Sequence, residues 1–433
     1  MIRVIETNHA IQKEPLLSPF GFKGAYLSEL WQSAVGLRGA DGAYGIGVGV
    51  QSVLWSDSKV FEQHGEAAGN QLMSDITQFA LNAVERTSFD TPIDLLDSIL
   101  PEVSAFARTK SGIDNLYETF VLNALVPVDQ AAWALYSRGK NQSFAELVPE
   151  TYRGALGQRQ PQLASIPLIP YGMSAADIEQ MLNEGYFLLK IKLGADPDQD
   201  NDQEKMLEWD KRRLTQIHEI AERYETAYTH SGKIAYYLDA NGRYDGKERL
   251  LRLLEHAGQI GALERIVLFE EPFPQSLEVN VADLPVRLAA DESVHDEHDA
   301  LARIEMGYGA FALKPVAKTM SLSLKVAKLA FKHNVPCFCA DLTANPLLAD
   351  WNKNLASLLA PLPELKIGVI ETNGHQNYRS WEQMKSYHPL ANAEWIEAVN
   401  GIYQLSDSFY AANGGALEIS PYYEAVLQNK GES

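Results

Sequence analysis

The sequence is poor in cysteine and in positive charge, and it contains no long apolar run. Only two of the 433 residues are cysteines, Cys337 and Cys339, which excludes a disulfide framework and favours a reducing compartment. Lysine and arginine total 37 against 57 acidic residues, and the net charge of -20 argues against nucleic acid or anionic lipid as a partner. No stretch approaches the roughly 18 consecutive apolar residues of a membrane span, and residues 1–15 lack the apolar core of a signal peptide. We therefore expect a soluble, cytoplasmic protein.

The chain is long enough, and apolar enough at 46% hydrophobic residues, to form more than one domain. In residues 1–150, strand-like stretches at 3–7, 30–37 and 44–55 precede helical periodicity at 70–85, 91–107 and 115–138. Strands followed by helices predict an α+β domain. Residues 386–433 return to short strand and helix signals, and we expect them to pack back on the first domain.

Between about residues 160 and 385, short apolar runs alternate with longer amphipathic stretches, a pattern typical of parallel strands joined by helices. Eight such units predict a closed α/β barrel with a helix after each strand. An open doubly wound sheet would need a glycine-rich phosphate loop after its first strand, and Tyr171-Gly172-Met173 does not supply one. The runs are 166–171, 187–193, 234–239, 266–270, 286–290, 310–313, 335–339 and 365–370.

Five consecutive runs, from the second to the sixth, end in charged residues. They are Lys190 with Lys192, then Asp239, Glu270, Asp291 and Lys314. The C-terminal ends of barrel strands meet at one face, where catalytic groups converge. Three carboxylates brought there would repel one another unless a cation neutralised them, and oxygen ligands indicate Mg²⁺, with Mn²⁺ as an alternative.

A substrate carboxylate bound to such a cation can lose its neighbouring proton to a base, while the metal stabilises the resulting enediolate. The second and sixth strands stand across the barrel, which predicts Lys192 and Lys314 as bases on opposite faces of the substrate. A nearby cation and a second lysine should lower the pKa of such a base. Lys190 shares a strand face with Lys192 because their spacing is two, and it adds positive charge beside the substrate.

This pattern resembles the enolase superfamily, and within it the muconate lactonizing enzyme subgroup, which carries Lys-x-Lys on strand two, metal ligands on strands three to five and Lys on strand six. The resemblance implies a modified TIM barrel of the (β/α)7β kind, with an α+β N-terminal capping domain completed by the C-terminal tail. It is not the mandelate racemase pattern, which needs a His at the end of strand seven, where this chain has Cys339-Ala340-Asp341. The resemblance implies metal ligands Asp239, Glu270 and Asp291, with Asn241, Glu271 and Glu292 supporting them.

Substrate contacts are less clearly marked. Dipeptide epimerases of the superfamily often use Asp-x-Asp at strand eight to hold a substrate ammonium, and Glu371, helped by Asp341, is a loose counterpart. Capping-domain loops close over the barrel mouth in the superfamily, which gives Phe20 and Phe22 as further candidates. This chain also departs from many members after strand six, where Lys318-Thr319-Met320 stands in the region of their Gly-Gly pair.

Two opposed bases predict a 1,1-proton transfer, and thus a racemase or epimerase of a dipeptide or N-acyl amino acid. The same site supports β-elimination, so an o-succinylbenzoate synthase, cycloisomerase or dehydratase activity stays open. A non-catalytic carboxylate-binding relative is the remaining alternative. The expected partner is a small-molecule carboxylate, with neither nucleic acid nor membrane, and the sequence leaves a homo-oligomer open.

Overall fold

The computed structural model describes residues 1–22 and 25–428, and the side chains of all of these except residues 20–22 and 25. The N-terminal sheet is antiparallel and has the order β3-β2-β1-β4. Its strands are β1 (Ile2–Phe22), β2 (Ala25–Gly39), β3 (Tyr44–Gln51) and β4 (Ser88–Phe89). The helices in this part of the chain are α1 (Val53–Ser56), α2 (Ser58–Arg86), α3 (Pro92–Ser111), α4 (Glu118–Ser137), α5 (Phe144–Leu147) and α6 (Glu150–Arg153).

Helix α4 lies directly on strand β3 because alternate residues of that strand are glycines. A Cβ atom on Gly47 would lie 2.1 Å from the carbonyl oxygen of Pro127 and 2.3 Å from the backbone nitrogen of Ala131. Any side chain at Gly47 would therefore push the helix off the sheet. This contact makes α4 a rigid support for the elements that it meets on its other side.

The second sheet is mainly parallel, in the order β14-β5-β13-β12-β11-β10-β9-β8-β7-β6. Its strands are β5 (Gln162–Ile166), β6 (Leu168–Ile169), β7 (Leu188–Lys192), β8 (Ala235–Asp239), β9 (Ile266–Glu270), β10 (Leu288–Ala290), β11 (Ala310–Leu313), β12 (Cys337–Cys339), β13 (Gly368–Glu371) and β14 (Ile402–Gln404). Both cysteines are buried in β12 and unoxidised.

A single interrupted strand closes this sheet into a ring. Only Pro167 separates β5 from β6, and β5 pairs with β13 whereas β6 pairs with β7. The carbonyl oxygen of Ile166 accepts from the backbone N–H of Thr372 at 3.3 Å, and that of Pro167 accepts from the N–H of Lys190 at 3.2 Å. With β5 and β6 counted as one strand, eight parallel strands form the barrel, and the predicted fold class is confirmed.

Helices cover the outside of the barrel, with one exception. They are α7 (Ala175–Asn183), α8 (Gln203–Ala221), α9 (Lys247–Gln259), α10 (Glu297–Glu305), α11 (Pro315–Lys318), α12 (Met320–Lys332) and α13 (Pro346–Ala356). None of the described helices lies between β9 and β10, so the prediction of a helix after every strand is wrong there. Pro272, Pro274 and Pro285 fall in this connection, and each removes a backbone donor and restricts the residue before it.

The C-terminal segment contacts both regions. It contains α14 (Gly374–Asn377), α15 (Trp381–Lys385), α16 (Asp407–Ala412) and α17 (Pro421–Gln428). Strand β14 pairs antiparallel with β5, whereas α17 packs against β1 and β2. No helix in the described part of the chain is long and apolar enough to cross a bilayer.

One buried carboxylate joins the N-terminal region to the barrel. Asp129, on α4, accepts hydrogen bonds from the backbone N–H groups of Met320 at 2.9 Å and Ser321 at 3.3 Å, and also from the Ser321 hydroxyl. Trp133 Nε1 donates to the same hydroxyl at 3.1 Å. Asp129 therefore satisfies the N-terminal N–H groups of α12 from another part of the fold.

Candidate active site

The charged ends of β7 to β11 lie in one layer at the C-terminal mouth of the barrel. Lys192 and Asp239 are register partners on β7 and β8, and Asp239 and Glu270 are register partners on β8 and β9. Asp291 directly follows β10, and Lys314 directly follows β11. The structure thus brings the predicted lysines and carboxylates together.

Three buried carboxylates form a cluster with the geometry of a metal site. Glu270, Asp291 and Glu292 each offer an oxygen within 4.8 Å of the other two. Within the described part of the chain, Glu292 Oε2 is buried without a hydrogen-bond partner, and Asp291 Oδ1 makes no hydrogen bond although the Lys318 ammonium lies 3.4 Å from it. Buried carboxylate oxygens are costly unless paired, and a hard divalent cation such as Mg²⁺ would pair them. These residues therefore fit the predicted metal, and Glu292, expected only beside the ligands, is one of the three.

Asp239 lies at the edge of this cluster, between two lysines. Its Oδ2 atom is 2.7 Å from Lys192 Nζ and 3.1 Å from Lys190 Nζ. Burial disfavours the charge on Asp239, but Lys192 and Lys190 outweigh it and hold the pKa below its usual value. Lys190 Nζ also lies 3.2 Å from Glu270 Oε2 and 3.0 Å from Glu371 Oε2.

The lysines at the barrel mouth lie among carboxylates. Lys314 Nζ donates to Asp291 Oδ2 and lies 4.4 Å from the centre of the Trp55 ring. Burial favours the neutral form of Lys314, but Asp291 and Glu270 outweigh burial and the repulsion from Lys190, and they raise the pKa of Lys314. At Lys190, Glu270 and other carboxylates likewise outweigh burial and raise the pKa. These shifts come from the protein's own groups, and the lowering of the lysine pKa predicted beside a bound cation stays a prediction.

The supporting residues named from the resemblance do contact the cluster. Asn241 accepts from Lys192 Nζ at 2.7 Å through Oδ1 and donates to Glu292 Oε1 at 3.1 Å through Nδ2. Glu271 accepts from the backbone N–H groups of Asp291 at 2.7 Å and Ser293 at 2.9 Å. Burial, with the charge on Glu292, raises the pKa of Glu271 to about 7. Asn241 thus links a lysine to the cluster, and Glu271 holds the turn that carries Asp291.

The two acidic substrate candidates already have protein partners. Asp341 accepts backbone hydrogen bonds from Leu342 at 2.8 Å, Ala344 at 3.0 Å and Asn373 at 2.8 Å. Glu371 Oε2 accepts from Lys190 Nζ and, at 3.2 Å, from the backbone N–H of Asp341. Burial and the charge on Glu371 raise the pKa of Asp341 to about 6. Both residues line the cavity, but Asp341 is used to hold the loop after β12.

A cavity of about 50 Å³ lies between the N-terminal region and the barrel mouth. Phe20 and Phe22, the sequence candidates for its cover, lie outside the residues whose side chains are described. Tyr26, close to them in β2, is 62% exposed. The described N-terminal residues that line the cavity are Leu16, Leu27, Leu30, Ser52 and Trp55. Sequence reasoning named none of the five, since no recognisable motif marks them.

Lys318 is a further site residue that the sequence did not single out. Its ammonium is buried beside Asp291 and lies 3.4 Å from Asp291 Oδ1. The available signal in the sequence was the position of this lysine. It lies four residues after Lys314, in the segment where the chain departs from the Gly-Gly of many relatives.

A closed barrel with an N-terminal cap, and with carboxylates and lysines clustered at its mouth, is the architecture of the enolase superfamily. Residues 173–403 match the family described as Enolase C-terminal domain-like, and the chain belongs to that family. The predicted membership is confirmed. Members of this superfamily are enzymes that use Mg²⁺. No curated protein matches the chain.

Solved structures with the same fold include several mandelate racemase and muconate lactonizing types. A mandelate racemase/muconate lactonizing protein from Herpetosiphon aurantiacus has 18% identity and a TM-score of 0.66, covering 94% of this chain and 96% of that one. The L-Ala-D/L-Glu epimerase from Bacillus subtilis has 18% identity and a TM-score of 0.61, over 85% and 89%. A dipeptide epimerase from Enterococcus faecalis, complexed with Mg and L-Leu-L-Tyr, has 16% identity and a TM-score of 0.59, over 85% and 90%. At these identities the likeness establishes the fold.

Proposed function

We propose that the protein removes the proton next to a substrate carboxylate and returns one to the opposite face, acting as a Mg²⁺-dependent racemase or epimerase. The observation that carries this proposal is the placement of Lys192 and Lys314. Strands β7 and β11 are separated by β8, β9 and β10 in a ring of eight, so the two lysines stand on opposite sides of the carboxylates. A single base would not need a counterpart across the barrel.

Glu270, Asp291 and Glu292 would hold the cation, with Asp239 next to them. When bound, Mg²⁺ supplies positive charge to the substrate carboxylate as negative charge develops there. Lys192 and Lys314 act as the proton acceptor and donor, and their roles exchange with the direction of the reaction. The hydrogen bond from Lys192 to Asn241 fixes one amine, and the Trp55 ring shields the other from water.

The cavity lining favours a substrate whose nitrogen carries no charge. Asp341 is occupied by three backbone N–H groups, and Glu371 is paired with Lys190, so neither offers an unengaged carboxylate to an ammonium. The apolar part of the lining is formed by Trp55 and by five leucines, Leu16, Leu27, Leu30, Leu168 and Leu342. We therefore propose an N-acyl amino acid with an apolar side chain, ahead of the free-amine dipeptides bound by the epimerase relatives.

Elimination is the second candidate, as in an o-succinylbenzoate synthase or cycloisomerase. It needs only one of the two lysines as base, and the leucine-lined part of the cavity would accept an apolar ring. The two candidates differ in what happens to the α carbon. Racemisation leaves the bonds of the substrate unchanged, whereas elimination creates a double bond.

The test is incubation with Mg²⁺ in D₂O of matched pairs of N-acyl amino acids and free-amine dipeptides, followed by NMR and chiral chromatography. We expect deuterium at the α carbon together with inversion, fastest for N-acyl substrates with apolar side chains. Inversion without solvent deuterium would contradict the two-base proposal. A new double bond without inversion would favour elimination, and faster dipeptide turnover would remove the N-acyl preference.

A further inference from the structure

Lys318 is buried next to a strained stretch of backbone. It ends helix α11, and Thr319, which follows, has φ 74° and ψ 151°. This region of backbone conformation is almost restricted to glycine, and a β-branched residue there is strained. Such strain persists where the surrounding structure enforces it, and it is concentrated at functional sites.

The surrounding contacts show how the strain is held. Thr319 Oγ1 accepts from the backbone N–H of Leu322 at 3.2 Å. Asp129, from the N-terminal region, accepts from the N–H groups of Met320 and Ser321. These hydrogen bonds fix the first turn of α12, through Thr319 within the same segment and through Asp129 from the N-terminal region. Lys318, directly before this first turn, is only 4% exposed.

The ammonium of Lys318 spans the turn that carries two of the three clustered carboxylates. In this turn the backbone N–H of Val294 donates to the carbonyl oxygen of Asp291 at 3.1 Å. Lys318 Nζ donates to the same carbonyl oxygen and, at 3.0 Å, to that of Val294. It also lies 3.4 Å from Asp291 Oδ1. Lys318 thus contacts both ends of the turn and the side chain of its first residue.

We propose that Lys318 is a positioning residue for the metal site, which holds the 291–294 turn so that Asp291 and Glu292 face Glu270. The inference rests on the metal site proposed above. Carboxylates packed within 4.8 Å of one another repel, and the turn that carries two of them would otherwise open. Lys318 opposes this opening through the two carbonyl groups and through its charge. Residues that orient metal ligands typically contribute about tenfold to a hundredfold in metal affinity.

The experiment measures Mg²⁺ binding by isothermal titration calorimetry on the full chain, independently of turnover. Lys318→Met keeps the length of the side chain and removes its donors and charge, and we expect about tenfold to a hundredfold weaker Mg²⁺ binding. Lys318→Arg should restore most of the affinity. The matched control is Lys353→Met. Lys353 is also fully buried and bonds an aspartate and a backbone carbonyl, Asp350 Oδ1 and Trp395 O, both at 2.7 Å. This control should lower the melting temperature without changing Mg²⁺ affinity.

A folded Lys318→Met variant that binds Mg²⁺ as tightly as the wild type, or more tightly, would overturn the inference. The latter result would mean that the charge of Lys318 merely repels the cation. If the Met variant fails to fold, Lys318→Leu also removes both the hydrogen-bond donors and the charge, and unchanged Mg²⁺ affinity in that variant would equally overturn the inference. Absence of Mg²⁺ binding by the wild type would instead overturn the metal site itself, so the two failures are distinguishable.

Discussion

Lys192 and Asp239 are register partners on adjacent parallel strands, and Lys192 Nζ lies 2.7 Å from Asp239 Oδ2. Asp239 pairs in turn with Glu270 on the next strand. Because these strands end level with one another, three carboxylates lie in a row between two ammonium groups at the barrel mouth. A change in one charge will therefore alter its neighbours directly.

Replacing either proposed base should abolish turnover and leave the fold intact. We expect Lys192→Ala and Lys314→Ala each to lower kcat by at least about 100-fold, because general bases contribute 10²–10⁴-fold. Turnover would be followed by α-deuterium incorporation, with circular dichroism to check folding. Lys325→Ala, on α12 and paired with Asp97, is the control and should remain active. Substantial turnover in either base variant would contradict the two-base assignment.

Removal of divalent metal should stop turnover reversibly. A chelator should abolish activity, and added Mg²⁺ should restore it, with Mn²⁺ as a weaker or equal substitute. Mg²⁺ should also raise the melting temperature, because a ligand that binds only the native state stabilises it. Glu270→Gln should weaken that thermal response. Full activity in a metal-stripped sample would be incompatible with the proposed site.

We expect the aromatic ring of Trp55 to contribute more to kcat/KM than its indole N–H. Trp55→Ala removes the surface 4.4 Å from Lys314 Nζ, so we expect water to reach the amine and kcat/KM to fall. Cation–π contact is worth roughly 0.5–2 kcal/mol, and the fall should be about tenfold. Trp55→Phe should retain most activity, as should the control Trp31→Phe. An equal loss in Trp55→Phe and Trp55→Ala would show that the indole N–H is what matters.

Stability should fall with rising pH, in part because of Asp129. Burial raises the pKa of Asp129 to about 7, whereas an aspartate in the unfolded chain ionises near pH 4. The native state therefore binds a proton that the unfolded state has released. This contribution, of the order of 4 kcal/mol, is present in full below about pH 4 and is lost as pH rises through about 7.

Asp129→Asn is uncharged at every pH and should make the unfolding free energy less dependent on pH. Denaturant unfolding at about pH 5 and about pH 8 would measure the difference. The control Asp97→Asn, at a partly exposed aspartate, should retain the wild-type dependence. An unchanged dependence in Asp129→Asn would exclude Asp129 as its source.

The barrel could be predicted from the sequence because its strands are short apolar runs that end in charged residues. The predicted run 266–270 coincides with β9, and 310–313 coincides with β11. The N-terminal sheet could be predicted less well from the sequence. Strand β1 extends over Ile2–Phe22, far beyond the predicted 3–7, because pairing with β2 stabilises it rather than a local alternation of apolar residues. The helix expected between β9 and β10 does not form. Its prediction rested on the number of residues between the two strands, and the three prolines in that connection disfavour a helix.

The site residues also fall into two groups, those that the sequence marks and those that it does not. Asp239, Glu270, Asp291 and the lysines follow from the rule that barrel strand ends converge. Trp55 reaches the cavity from α1, which packs against α2 and α4, and no local pattern in the sequence predicts that placement. Lys318 is followed by Thr319 in a backbone conformation that sequence reasoning assigns to glycine, so the path of the chain at this point could not be predicted.

The strand interrupted at Pro167 has a consequence for the order of assembly. Its first part pairs with β13, roughly 200 residues later in the chain, so the barrel cannot close until β13 has left the ribosome. Contacts of such long range form slowly. Until they form, β5 and β13 expose unpaired edges to other nascent chains. Refolding yield should therefore depend on protein concentration, with ring closure as the slow step.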